Sequence, residues 1–188
     1  MATSYLSHFL LTNLLMPKIL AAGSNARIIN VSSWVTSPPT FATQILTSTA
    51  ERTTPRSKHT SSPRQEHYTL RWVESNTEGK GIKSFALHPG SILSNLQKYV
   101  TPENMQEAVV LWKDLGMELP ERKTVKQGYS TTLRAALDPS LGTEGSVFLT
   151  GCQLTTEPLQ VRAYSLDKEN MLRCWALSEE MVAQKFEY

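Results

Sequence analysis

Two adjacent serines, Ser32 and Ser33, are the hydroxyl groups that the sequence places best for chemistry. They end the run ARIINVSS at residues 26–33, in which a short β-branched stretch lies between polar residues. This pattern predicts a buried strand of a parallel sheet. Because open α/β sheets bind ligands at the carboxyl ends of their strands, the serines stand where such a sheet would bind a ligand. The plainer interpretation is that they only cap the strand end.

A second candidate site follows the strand predicted at Ile82–Leu87. This strand ends at His88-Pro89-Gly90, and the sequence continues as Ser-Ile-Leu-Ser to Ser94. Glycine lets a ligand approach the backbone closely, so Gly90 is a candidate contact. A simple turn from a strand into a helix would use the same residues.

Composition restricts the classes of function. With 188 residues, 40% hydrophobic and 19% charged, the chain fits one globular domain with a sizeable core. A net charge of +2 gives no reason to expect a nucleic-acid partner. Cys152 and Cys174 lack the spacing of a disulfide framework or metal site, so we expect a reducing compartment.

The apolar run Phe9–Met16 could be mistaken for part of a signal peptide. No positive charge precedes it, and no apolar segment of the sequence approaches the ~20 residues that span a bilayer. We therefore expect a cytoplasmic protein without a membrane span.

Periodicity predicts strands that alternate with helices, the pattern of an α/β fold with a parallel sheet. A third short strand is expected at Ser146–Leu149. Helices are expected at residues 3–20, 102–115, 125–137 and 168–185. Apolar spacing in the last helix predicts a buried side made of Met171, Leu172, Trp175, Ala176, Val182 and Phe186.

Residues 35–66 differ from their surroundings. Serine, threonine, proline and arginine dominate there, and the apolar residues have neither helical nor strand period. This composition predicts an irregular, disordered insertion in an otherwise single domain at 1–188.

Four stretches together resemble the C-terminal half of the short-chain dehydrogenases/reductases. They are the helix ATSYLSHFLLTNLLMPKIL, the strand ARIINVSS, the segment GIKSFALHPGSILSNL, and residues 123–188. The likeness is greatest to the retinol-dehydrogenase and WW-domain-oxidoreductase type found in filamentous fungi. It implies hydride transfer between a carbonyl or alcohol carbon and NAD or NADP, with a small-molecule substrate, in fungal secondary metabolism.

The resemblance implies roles for individual residues. Ser33 matches the catalytic serine, and Ser32 stays open as an alternative. Lys58 matches the lysine of the family's Tyr-x-x-x-Lys motif, with a catalytic and cofactor-binding role, although Thr54 stands at the tyrosine position. The literal match Tyr164–Lys168 leads into the last helix, and we interpret it as coincidental.

The same resemblance makes the segment after the second strand a cofactor contact. It implies that Gly90 allows close backbone approach, that Ile92 offers backbone groups to the nicotinamide carboxamide, and that Ser94 lies near the cofactor phosphates. The family's Gly-x-x-x-Gly-x-Gly loop for the pyrophosphate does not occur in these 188 residues.

The expected fold is therefore a partial Rossmann-like parallel sheet, equivalent to strands 5, 6 and 7 of the family, with flanking helices. We expect a truncated domain that lacks about 100 residues, or three βαβ units of ~30 residues each. Such a remnant would expose apolar surface on the first helix and a sheet edge beside Ile28–Val31. The alternative function is a non-catalytic fragment that forms a homo- or heterodimer through residues 3–20.

Overall fold

The computed structural model describes residues 5–32, 73, 77, 79–92, 95, 101–114, 116, 121–144, 147–156, 161 and 166–188. Within these ranges the chain has the predicted α/β fold, in which helices flank a central sheet. The segment predicted to be irregular, residues 35–66, lies outside the described residues.

The described ranges contain four α-helices and six strands. The helices are α1 (Ser7–Ala21), α2 (Pro102–Asp114), α3 (Val125–Leu137) and α4 (Lys168–Val182), with a 3-10 turn at Pro139–Thr143. The strands are β1 (Arg27–Val31), β2 (Lys83–His88), β3 (Ser91–Ile92), β4 (Arg122–Lys123), β5 (Val147–Thr150) and β6 (Gln153–Thr155). In the described ranges no helix has both the length and the apolar character needed to cross a bilayer.

The main sheet has the order β1-β2-β5-β6, so the three predicted strands are neighbours as expected. β1, β2 and β5 run parallel, with Ile29 opposite Phe85 and Phe85 opposite Val147. β6 pairs with β5 in antiparallel fashion and was not predicted. The turn between them has positive φ angles at Gly151 (53°) and Cys152 (62°), a conformation that suits a two-residue hairpin.

Local sequence explains where α3 and α4 begin. Thr124 and Gln127 form a capping box at the start of α3, in which the threonine hydroxyl accepts from the Gln127 N–H. The Asp167 carboxylate accepts from the Glu169 and Asn170 N–H groups at the start of α4. By contrast, Pro17 does not end α1, which continues to Ala21.

One face of the sheet is covered by α1 and α4. The Phe9 ring packs edge-on against Trp175 and Phe186, with centroid separations of 4.7 and 5.8 Å. The Tyr5 hydroxyl donates to Ser178 Oγ at 2.8 Å, because Ser178 itself donates to the Cys174 carbonyl. These contacts tie the start of the described chain to its last helix.

The predicted buried side of α4 was wrong in part. Its buried residues are Met171, Cys174, Trp175 and Ser178. Leu172 and Ala176, which were predicted to be buried, are exposed. Because the Ser178 hydroxyl is buried with its hydrogen-bond partners, the buried side of α4 includes Cys174 and Ser178 instead of Leu172 and Ala176.

The opposite face is covered by α3. Its core consists of Phe85, Leu87, Ala135, Leu141 and Leu149. Arg27 at the start of β1 donates to the carbonyls of Ala135 and Asp138 at 2.8 Å each, and its guanidinium lies 5.7 Å from the Phe85 ring centroid. A cation at these last carbonyls also offsets the negative end of the helix dipole.

Candidate functional site

The ends of β1 and β2 lie side by side. The Ser32 N–H donates to the Leu87 carbonyl at 2.7 Å, directly beyond the last paired residues of the two strands. Ser32 and the His88–Gly90 turn therefore share the carboxyl edge of the sheet, as the parallel-strand argument predicts.

The Ser32 hydroxyl is unusual in its surroundings. Its Oγ is buried and has no hydrogen-bond partner among the described residues. Leaving a buried hydroxyl unsatisfied costs about 1–3 kcal/mol, so such a group calls for an explanation. A polar ligand atom at this edge would satisfy it.

Gly90 takes a backbone conformation that other residues rarely adopt, with φ at +99°. A Cβ at this position would lie only 2.6 Å from Lys123 Cδ and 3.0 Å from Lys123 Cε. The group that approaches Gly90 closely in this structure is the side chain of Lys123.

Ile92 is fixed by two contacts. In the β3–β4 ladder it lies opposite Lys123, while Ser91 lies opposite Arg122. Its side chain packs on Gly128 in α3, where a Cβ would be 2.1 Å from Ile92 Cδ1 and 2.8 Å from Ile92 Cγ1. The absence of a side chain at residue 128 therefore lets this loop rest on the helix.

His88 lies in the same turn and is neutral near pH 7. Burial, and after it the positive charge of Lys123, lowers the pKa of His88 from 6.5 to about 4. The carboxyl edge therefore holds a neutral imidazole next to an ammonium group.

The neighbouring β5–β6 turn is held by side chains of α3. Thr131 Oγ accepts from the Cys152 N–H at 3.1 Å, and the Arg134 guanidinium donates to the Cys152 carbonyl. Arg134 also forms an ion pair with Asp138 at 3.0 Å. Hydrogen bonds from the Ser140 side chain and N–H, and after them the one from Arg134, lower the pKa of the Asp138 carboxyl.

The structure describes only some of the predicted site residues. Gly90 and Ile92 lie in one turn, next to the strand end that carries Ser32. Ser33, Lys58 and Ser94, like Thr54, fall outside the described residues.

Sequence reasoning missed two residues of this site. Gly128 had a signal, since a glycine within a helical pattern often marks close packing. Lys123 had none, because only the three-dimensional fold brings its side chain over Gly90.

The fit of a nicotinamide cofactor can be judged at this edge. The turn at Gly90 has no side chain of its own, and Ser32 Oγ is a buried polar atom that lacks a partner in the described part of the chain. Both features suit a polar ligand at the ends of β1 and β2. The Lys123 side chain partly covers Gly90 at this edge.

Comparison with known proteins gives relatives along nearly the whole chain, although no family model matches. A short-chain dehydrogenase/reductase, prx1, from Penicillium roqueforti is 27% identical over 97% of this chain and 55% of its own length. A probable oxidoreductase from Streptomyces lividans is 32% identical over 93% of this chain and 61% of its own. Human retinol dehydrogenase 12 is 25% identical over 100% of this chain and 55% of its own.

The chain spans about half the length of the curated relatives that it matches. This share is consistent with the expected correspondence to their C-terminal half. The order of the parallel strands and the names of the relatives thus agree with the resemblance found in the sequence. The chain is a homologue of the short-chain dehydrogenases/reductases.

Proposed function

We propose that this chain belongs to an NAD(P)-dependent oxidoreductase that transfers hydride between the cofactor and a carbonyl or alcohol carbon of a small molecule. The relatives named above are oxidoreductases, which supports the general class. The observation that carries the proposal is the buried Ser32 hydroxyl without a described partner, beside the Gly90 turn.

In the proposed reaction, Ser33 donates a hydrogen bond to the substrate oxygen and polarises the carbonyl group. Ser32 is the alternative for this role. A bound nicotinamide would supply or accept the hydride, and solvent water would give the reacting oxygen its proton in reduction or take it up in oxidation. Lys58 contributes its charge to the cofactor and the reacting oxygen, and Gly90, Ile92 and Ser94 contact the cofactor.

Proton transfer is the step that we expect to limit the rate. Thr54 occupies the position that matches the family's tyrosine, and a threonine hydroxyl is not an acid or base near neutral pH. We therefore expect slow turnover. We also expect NADP or NAD to bind no more tightly than about 1 mM to this chain, because its sequence contains no Gly-rich pyrophosphate loop.

The test is NADPH-dependent reduction of a panel of aldehydes and ketones at millimolar cofactor. We expect a slow rate that Ser33→Ala lowers by about 100-fold, as for loss of one hydrogen-bond donor to a reacting oxygen. Lys58→Met should lower it as well. Ser130→Ala is the control, since Ser130 is exposed and its hydroxyl donates to the Lys126 carbonyl of its own helix. A rate unaffected by Ser33→Ala would contradict the serine's role.

A second candidate function is that of a non-catalytic partner that dimerises with a copy of itself or a full-length relative. Leu11, Leu14 and Leu15 favour it, since all three are exposed on α1. Co-purification with a full-length relative, lost in Leu11→Glu/Leu14→Glu, would support this function. A monomer that remains free of a co-expressed relative would contradict it.

For location, we propose the cytoplasm. Cys152 and Cys174 are both free thiols, and burial raises the pKa of the Cys174 thiol. Two unpaired thiols suit a reducing compartment. Fluorescence microscopy of a tagged full chain in a fungal host would test this, and accumulation in the secretory pathway would contradict it.

A further inference from the structure

The side chain of Lys123 lies across the carboxyl ends of β2 and β5. Lys123 Nζ is 3.1 Å from the position that a Cβ would take at Gly90 and 3.9 Å from the corresponding position at Gly151. The β3–β4 ladder fixes its backbone beside Ile92. The ammonium group is therefore held over two glycine turns by its own strand.

Lys123 has no acidic partner among the described residues. The Asp138 carboxylate is engaged by Arg134, and the Glu179 carboxylate accepts from the Phe186 N–H. The Lys123 charge, after burial, lowers the pKa of His88, so this imidazole is neutral at pH 7. Within the described ranges, a fixed ammonium group thus faces the ligand edge with no acidic side chain paired to it.

The start of α3 adds to the positive potential. Lys123 directly precedes the N-cap residue Thr124 of this 13-residue helix, and the positive end of the helix dipole points toward the same edge. The capping box already uses the Thr124 and Gln127 side chains. Lys123, which precedes it, carries a positive charge beside Gly90.

We propose that Lys123 binds an anionic oxygen of a ligand at the carboxyl edge of the sheet beside Gly90. The oxygen belongs either to a cofactor phosphate or to a carboxylate on the substrate. The assignment rests on the proposed function for the existence of a ligand site at this edge, and it adds a specific binding residue to it.

The test is a titration of the full chain with inorganic pyrophosphate and, separately, with acetate, followed at the Gly90 and Gly151 amides by NMR. Lys123→Met keeps the aliphatic stem over Gly90 and removes the charge. We expect it to weaken binding of the effective anion by about tenfold, the usual loss for one charge-assisted hydrogen bond. Lys126→Met, which removes an exposed charge one residue inside α3, should leave binding unchanged.

The two probes separate the two sources of the anion. Loss confined to pyrophosphate assigns Lys123 to the cofactor, and loss confined to acetate assigns it to the substrate. Equal losses in Lys123→Met and Lys126→Met, no loss in either, or no binding of either anion to the native chain would overturn the proposal. Failure of the proposed function would show instead as missing NADPH-dependent hydride transfer, which these titrations do not require.

Discussion

The two strands that flank β2, namely β1 and β5, differ sharply in burial, although both run parallel to it in the same sheet. On one side, Leu87 lies opposite Leu149, and both are 0% exposed. On the other side, Leu87 lies opposite Val31, which is 56% exposed. The β5 flank is completed within the chain by β6 and α3, whereas the β1 flank leaves apolar surface uncovered.

The same contrast holds at the carboxyl edge. On the β5 flank, Thr131 and Arg134 satisfy the backbone of the β5–β6 turn. On the β1 flank, Ser32 Oγ is buried without a partner in the described ranges. Stability is therefore concentrated on the β5 flank. On the β1 flank, a ligand or further protein surface would be required to cover Val31 and to pair with Ser32 Oγ.

The largest expected difference between the flanks is in core stability. Leu149→Ala should lower the free energy of unfolding by about 3 kcal/mol, because it opens a cavity in a fully buried row. Val31→Ala should cost less than about 0.5 kcal/mol, because Val31 is mainly exposed. Urea unfolding measures both values. Equal costs would show that the β1 flank is as well packed as the β5 flank.

Acidification should weaken the turn that leaves β2. The pKa of His88 is about 4 in the folded chain and 6.5 in the unfolded one, so the unfolded state binds more protons between these values. Stability is then lost as pH falls from 6.5 to 4, by up to about 3 kcal/mol. His88→Gln should remove this part of the pH dependence in urea titrations. A pH profile unchanged by the substitution would contradict the low pKa.

Much of the architecture could be predicted because local sequence patterns, such as helix caps and short apolar runs, determine it. The bounds of α3, Val125–Leu137, follow from the Thr124 cap at one end and Asp138-Pro139 at the other. The three parallel strands follow from short β-branched or apolar runs that end at turns. β6 was missed because three residues on the sheet edge, two of them exposed, carry no apolar period.

The remaining errors come from contacts between distant parts of the chain. The buried side of α4 depends on the Tyr5–Ser178 hydrogen bond, which joins residues 173 positions apart. At the site, Gly90 was singled out by the family resemblance, but the approach of Lys123 depends on the β3–β4 pairing. Periodicity cannot reveal either contact.

A smaller effect is expected where the Gly90 loop rests on α3. Gly128→Ala should cost about 2 kcal/mol, because the added methyl group would collide with the Ile92 side chain. Gly142→Ala is the matched control, since nothing lies within 4 Å of the position of its Cβ. Thermal unfolding of the two variants compares them, and equal midpoints would show that the Ile92 contact is not close.

The smallest effect concerns Ser178 and Ser32, whose hydroxyl oxygens are both buried. Ser178→Ala should cost about 1 kcal/mol, because it breaks the hydrogen bond with Tyr5. Ser32→Ala should be neutral or stabilise the chain by up to about 1 kcal/mol, because its hydroxyl has no described partner. Urea unfolding would measure both changes. A clear loss of stability in Ser32→Ala would mean that the hydroxyl already has a partner within the protein.

The most direct test of the central claim locates the nicotinamide end of the cofactor on the chain. Nicotinamide mononucleotide, titrated to millimolar concentration, should shift the NMR signals of Ser32, Gly90 and Ile92 at the carboxyl edge of β1 and β2. Signals of α4 on the sheet face behind should stay unchanged. Shifts centred elsewhere, or no shifts at the highest concentration of nicotinamide mononucleotide, would contradict a nicotinamide site at this edge.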